Sequence, residues 1–70
     1  MMIKDKIREL RKQHGLSQRK ISKIIGVSPL VVCRWESGKH EPTIYHCIQL
    51  ADLFNVSLDE LCCRDFKGGK

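Results

Sequence analysis

The side chains with the clearest chemical capacity in this sequence are basic, and they are concentrated in the N-terminal half. Residues 4–23 contain eight Lys or Arg and two Asp or Glu, whereas residues 40–70 contain three Lys or Arg and five Asp or Glu. The 70-residue chain has a formal net charge of +5. A concentrated basic region attracts a polyanion, because phosphates bind Lys and Arg. The N-terminal half is therefore predicted to face a polyanionic partner, and the acidic C-terminal half to face away from it.

Other kinds of chemistry have little support in the sequence. No nucleophile–base pair, carboxylate pair or phosphate-binding loop stands out, and so small a core leaves no room for a substrate pocket, so we predict no enzymatic activity and no cofactor. Cys33, Cys47, Cys62 and Cys63 form no CxxC pair and no His follows at zinc-finger spacing, which favours reduced thiols and no metal site. A redox or arsenical-binding role for Cys62 and Cys63 is the less favoured alternative to simple packing.

Length and hydropathy predict one small cytoplasmic domain. No apolar run approaches the length of a membrane span, and no secretory signal precedes the first helix. A chain of 70 residues is near the lower limit for an independent core. We therefore expect its margin of stability to be small.

The stretch from residue 18 to residue 38 predicts two short helices joined by a tight turn. Gly26 lies in the turn, where a positive φ is expected, and Ser28 and Pro29 suit the N-cap and the first position of the second helix. Gly38 is expected to end that helix as a left-handed residue. Two helices joined by so short a turn cannot lie antiparallel, so they must cross at a steep angle.

The same two helices have a predicted inner side. Ser22 lies where the first helix crosses the second, a place that requires a small side chain. Val32 and Trp35 are three residues apart and share the face that is turned towards the core. Trp35 could instead stack on a base, but the core position is the favoured interpretation.

Three further helices are predicted around this pair. The first runs from about Ile3 to Gln13, the fourth begins near Thr43 and is broken at Asn55, and the fifth ends near Arg64. Ser57-Leu58-Asp59-Glu60 has the pattern of a capping box and opens that fifth helix. The side chains expected to face the core from the first and fourth helices are Ile3, Ile7, Leu10, Ile44, Cys47, Ile48 and Ala51, with Phe54 as a further candidate.

These segments, taken in register, resemble the Cro/repressor-type helix-turn-helix family of bacterial and phage transcription regulators. The matching stretches are IRELRKQHGLSQ at 7–18, GVS at 26–28, RWESGKHEP at 34–42 and LADLFNVSLDEL at 50–61. The resemblance implies an all-α, compact five-helix lambda-repressor-like DNA-binding domain over residues 3–64, with helices 2 and 3 as the helix-turn-helix at 18–37 and a C-terminal tail at 65–70. It also implies that Arg11 pairs with Glu36, the residue after the tryptophan.

The function that this resemblance implies is sequence-specific binding of double-stranded DNA by a transcription regulator, most simply a repressor. Phosphate contacts are predicted at the N-termini of helices 2 and 3, where free N–H groups and short polar side chains suit an anion. The resemblance assigns base contacts to Pro29, Leu30 and Arg34, and only Arg34 among them is a long donor that can bind guanine. Contact of Arg34 with phosphate remains the alternative. The full set of predicted DNA contacts is Ser17, Gln18, Arg19, Ser28, Pro29, Leu30, Cys33, Arg34, Ser37 and Lys39.

A homodimer on an inverted-repeat operator is also expected, because one recognition helix covers only about half a turn of the groove and this family usually binds two-fold sites. Candidates for the dimer surface are Tyr45, Phe54, Leu61, Cys62 and Phe66, which lie in the less basic half. No small-molecule ligand and no membrane partner are evident. The alternative function is an antitoxin-like or anti-repressor module whose main partner is another protein.

Overall fold

The computed structural model describes residues 2–62 and shows five helices there and no strand. The predicted five-helix, all-α architecture is therefore confirmed, while the predicted helix end near Arg64 and the tail at 65–70 lie outside the described residues. No helix within residues 2–62 is long and apolar enough to cross a bilayer. In chain order the helices are α1 (Ile3–Gln13), α2 (Gln18–Ile25), α3 (Pro29–Ser37), α4 (Ile44–Phe54) and α5 (Leu58–Cys62).

The helix ends lie where the sequence encodes them. Each of the last four helices begins after a Ser or Thr whose hydroxyl oxygen accepts a hydrogen bond from a backbone N–H that has no partner within the helix. Left-handed residues end the middle three helices, namely Gly26 (φ 93°), Gly38 (φ 83°) and Asn55 (φ 58°). The tight turn between α2 and α3 is thus set by local backbone chemistry before any tertiary packing.

All five helices contribute to a single hydrophobic core. Val32 and Trp35 are 0% and 2% exposed, as predicted, and the Trp35 ring packs against the His46 ring with their centroids 5.3 Å apart. The tryptophan is therefore a core residue and not a platform for a base. The buried hydrophobic side chains are Ile7, Leu10, Ile21, Ile25, Val32, Trp35, Cys47, Leu50, Ala51, Phe54 and Leu61.

The predicted inner face of α4 is partly wrong. Ile44 and Ile48 are 65% and 43% exposed, whereas Leu50 is fully buried. The helix is rotated so that Cys47, Leu50, Ala51 and Phe54 face the core, which is the i, i+3, i+4, i+7 spacing of one helix face. This rotation leaves two isoleucines on the outside of the molecule.

Two of the proposed dimer residues are also wrong, because they are buried in the core of their own chain. Phe54 and Leu61 are 1% and 0% exposed. Tyr45 is exposed and Cys62 is half-buried, so both remain accessible to a partner. Phe66 lies outside the described residues.

Cys47 is the one thiol inside this core among the described residues. Burial raises the pKa of the Cys47 thiol to about 11, and the neighbouring Cys62 thiol and the Glu41 carboxylate add to the effect. The thiol is therefore protonated and uncharged at neutral pH, which suits an apolar environment.

Replacing Gly26 by alanine is expected to lower the free energy of unfolding by about 1 kcal/mol, because φ at this position is in the left-handed region that a Cβ disfavours. A Cβ there would meet no atom within 4 Å, so the loss reports backbone strain and not a clash. Urea denaturation measures it. Gly26→Asn is the control and should lose less, because asparagine tolerates this conformation better. Equal stability of the alanine variant and the parent would contradict this account of the turn.

Candidate nucleic-acid interface

The crossing of α2 and α3 depends on Ser22. Its side chain is 2% exposed, and its hydroxyl donates a hydrogen bond of 2.6 Å to the carbonyl oxygen of Arg19 within the same helix. The Ser22 carbonyl in turn accepts from the N–H groups of Gly26 and Val27 at 2.8 and 3.0 Å, which closes the turn. A small, internally satisfied side chain therefore allows the two helices to cross closely, as the sequence predicted.

The outward face of α3 is defined by its inward one. Because Val32, Trp35 and Glu36 are buried, the opposite side of the helix turns towards solvent. Leu30 is 56% exposed, and within residues 2–62 the Arg34 guanidinium has no ion-pair partner. The five predicted contact residues on this helix are all exposed and are Pro29, Leu30, Cys33, Arg34 and Ser37.

Three of the predicted phosphate contacts lie at the N-termini of α2 and α3, and Lys39 follows the C-terminal end of α3. Ser17 and Ser28 are exposed, and their hydroxyls cap α2 and α3. Arg19 and Lys39 are exposed as well, and each lies close in the chain to an end of one of these helices. Uncapped N–H groups and adjacent cations at a helix start are a suitable arrangement for an anion. The structure therefore leaves these four side chains accessible, and their contact with phosphate remains a prediction.

Gln18 differs from the other predicted contacts because it is half-buried. Its amide nitrogen donates a hydrogen bond of 3.0 Å to Oε1 of Glu36 on α3. An amide NH₂ group has two donors, so one remains for another acceptor. Gln18 thus connects the start of α2 to α3, in addition to its predicted role towards phosphate.

Glu36 is the point at which three helices are connected. Arg11 of α1 donates two hydrogen bonds to the Glu36 carboxylate, from Nε to Oε2 at 2.6 Å and from Nη2 to Oε1 at 3.1 Å. A third bond runs from Nη1 of Arg11 to the carbonyl oxygen of Leu16 at 3.0 Å. The side chains of Arg11 and Glu36 are 15% and 5% exposed. The predicted pairing is confirmed, with the two-point geometry that makes such ion pairs specific.

Arg8 lies at the edge of the exposed face of α3 and was not among the predicted DNA contacts. It lines a shallow cavity of about 220 Å³ together with Arg11, Gln18, Cys33 and Glu36. Helical spacing could have indicated it, because residues 8 and 11 are three apart and therefore share a face of α1. The structure thus adds one exposed cation at the edge of α3.

Two of the three histidines, His14 and His46, make contacts with other residues of the domain. Nδ1 of His14 lies 3.0 Å from the carbonyl oxygen of Leu10, and the His46 ring packs on Trp35. Within residues 2–62, no three or more His, Cys, Asp or Glu side chains are grouped to hold a metal ion. These surroundings give no support to a histidine metal site.

Comparison with known proteins agrees with this geometry. The sequence model of the family described as helix-turn-helix matches residues 7–61, so the chain belongs to that family. The structure superimposes on the P22 c2 repressor, crystallised with a synthetic operator, with a TM-score of 0.85 and 28% identity over 93% of this chain and 98% of that one. The predicted family and the lambda-repressor-like fold are both confirmed.

Two curated relatives are transcription regulators. The chain is 34% identical to the cryptic phage CTXphi transcriptional repressor RstR of Vibrio cholerae, over 91% of this chain and 57% of that protein. It is 33% identical to the regulator AnsR of Bacillus subtilis, over 87% of this chain and 53% of that protein. The chain thus spans little more than half the length of either relative. Membership of a family of transcription regulators confirms that this domain is not an enzyme.

Proposed function

We propose that this chain is a sequence-specific, double-stranded DNA-binding transcription regulator that acts as a repressor in the cytoplasm. The observation that carries the proposal is the exposed face of α3, which lies opposite a buried face and is joined to the start of α2 by the hydrogen bond from Gln18 to Glu36. A helix presented in this way fits the major groove while the neighbouring helix start meets the backbone. The likeness to a repressor solved with an operator supports the same docking.

Two groups of residues have separate roles in this proposal. Arg34 and Leu30 are the base-reading side chains, with Leu30 restricted to apolar contact such as packing on a thymine methyl. Pro29 has no N–H to donate and shapes the leading end of the helix. Ser17, Ser28 and Arg19 at the helix starts bind phosphate together with Lys39, which follows α3. These contacts set the register and carry no sequence information themselves.

Selection of bound sequences from random duplex DNA tests the proposal as a whole. The purified chain should enrich one motif, and binding should weaken steeply as salt rises, because phosphate contacts release counterions. Recovery of no enriched motif at low and moderate salt would refute sequence-specific binding.

Replacing Gln18 by alanine is expected to weaken binding to every DNA sequence by a similar factor, roughly 2- to 10-fold, as befits one lost hydrogen bond. Titration of a selected site and a scrambled site measures this factor. Gln13→Ala, at an exposed position on α1, is the matched control. Since Gln18 also bonds to Glu36, the melting temperature is measured alongside. A changed motif, with the affinity for the scrambled site intact, would contradict the phosphate role.

The proposal includes a homodimer on an inverted repeat. The less basic C-terminal half allows two copies to approach with less repulsion than the N-terminal half does. Selected sites should then be inverted repeats whose half-site centres lie about one helical turn apart. Full affinity for one isolated half-site, with a single chain bound, would contradict the dimer.

One observation favours a second candidate, a module that binds another protein. Ile44, Tyr45 and Ile48 form an exposed apolar face on α4, with exposures of 65%, 75% and 43%. Salt separates the two functions. Binding through such a face would change little between low and moderate ionic strength, whereas DNA binding would fall steeply.

A further inference from the structure

A surface groove gathers three sulfur-containing side chains from separate parts of the chain. It has a volume of about 450 Å³, and Met2, Cys47 and Cys62 all line it. Met2 precedes α1, Cys47 lies on α4, and Cys62 is the last residue of α5. We call these three residues the sulfur cluster. None of the ten predicted DNA contacts lines the groove, so the cluster is separate from the proposed DNA site.

The two thiols of the cluster come from helices that pack against each other. Cys47 on α4 and Cys62 on α5 line the same groove. Cys47 donates to the carbonyl oxygen of Pro42, which also lines the groove, at 3.8 Å. Cys47 is 4% exposed and Met2 is 62% exposed, so the cluster runs from the core to the surface.

We propose that Met2, Cys47 and Cys62 form a binding site for monovalent copper. Thiolate and thioether ligands are soft, and such ligands select Cu(I) over harder cations. Zinc is a poorer fit, because structural zinc sites use four thiolate or imidazole ligands, and no histidine lines this groove. The carboxylate of Glu41, which also lines the groove, adds negative charge beside the ion.

The binding step leaves all oxidation states unchanged. Each thiol loses its proton to solvent and forms a bond to Cu(I), while the Met2 thioether donates a lone pair without losing a proton. The bound ion would join the start of α1 to α4 and α5. Because a ligand that binds only the folded state stabilises it by mass action, copper should raise the melting temperature.

Anaerobic titration with Cu(I), in competition with the coloured chelator bicinchoninate, tests the site. The wild-type chain is expected to take up one equivalent and to melt at a higher temperature when loaded. Cys62→Ser should lower the affinity more than ~10-fold, because even indirect partners of a metal site are worth about that much. Unchanged affinity in Cys62→Ser would overturn the proposal, provided that its circular dichroism shows a folded chain.

Three matched variants identify which sulfurs bind. Cys33→Ser, at an exposed thiol on α3, should bind Cu(I) as the parent does. Cys63→Ser should also bind normally, and loss of binding there would place the site at the adjacent Cys62 and Cys63 and overturn the assignment. Met2→Leu should weaken binding several-fold with no loss of stability in the absence of copper. If Met2→Leu binds as tightly as the parent, the three-sulfur site is wrong.

Zinc provides the test of selectivity. Under the same conditions Zn(II) should bind at least 10-fold more weakly than Cu(I), since the groove has only two thiolates to offer. Equal affinities would show a general thiol site and contradict the proposed preference for a soft ion.

Discussion

Replacing Arg11 by alanine is expected to lower the free energy of unfolding by about 3 kcal/mol, the largest loss expected from any change at a charged residue of this domain. The substitution leaves Glu36 with a side chain that is only 5% exposed and with no cation to balance its charge. It also removes the donor to the carbonyl oxygen of Leu16. Urea denaturation measures the change.

The control for this loss lies on the same helix. Arg8→Ala removes an exposed cation three residues away and should change stability by less than about 0.5 kcal/mol. The double variant Arg11→Met/Glu36→Leu should recover much of the stability, because apolar replacement of both partners leaves no charge buried. If Arg11→Ala is no less stable than Arg8→Ala, the ion pair does not hold α1 against α3.

Replacing Arg34 by alanine is expected to relax the preference for one G·C pair in each half-site. The binding free energy for the preferred sequence should become weaker by roughly 1–3 kcal/mol. Binding to unrelated DNA should be largely spared. The reason is that the guanidinium fork matches O6 and N7 of guanine, and no other long donor lies on the outward face of α3. Selection from random duplexes, repeated with the variant, measures the preference at each position.

Two comparisons make the Arg34 test sharp. Arg34→Lys keeps the charge but loses the two-point geometry, so it should also relax the preference at that pair. Lys39→Ala should instead weaken all sequences together and leave the motif intact. If Arg34→Ala also weakens binding to all sequences together and leaves the motif intact, Arg34 binds phosphate. The protein then reads its site mainly by DNA shape.

The helix boundaries could be predicted from the sequence because short-range chemistry sets them. Ser17, Ser28 and Thr43 each cap the backbone three residues ahead, and Gly26 and Gly38 adopt the left-handed conformation that ends a helix. These contacts need no information from distant parts of the chain. The candidate site followed from the apolar spacing within those boundaries, since Val32 and Trp35 determine which side of α3 is outward.

The rotation of α4 shows where such local reasoning fails. Its apolar residues form two overlapping stripes that share Cys47, one with Ile44 and Ile48 and one with Leu50 and Phe54. Hydrophobicity alone does not choose between them, because the choice depends on which stripe packs against the other helices. Both stripes, which also share Ala51, match the i, i+3, i+4, i+7 template, so counting matches would not have separated them. The bond between Gln18 and Glu36 was also missed, because it joins residues 18 positions apart.

The carboxylate of Glu36 has a consequence for the kinetics of binding. By accepting from both Arg11 and Gln18, it fixes the helix proposed to read bases relative to the helix start proposed to meet phosphate, before any DNA is present. A preorganised surface loses little conformational entropy when its target arrives. Association should therefore need no slow rearrangement, and differences in affinity between operators should appear mainly as differences in residence time.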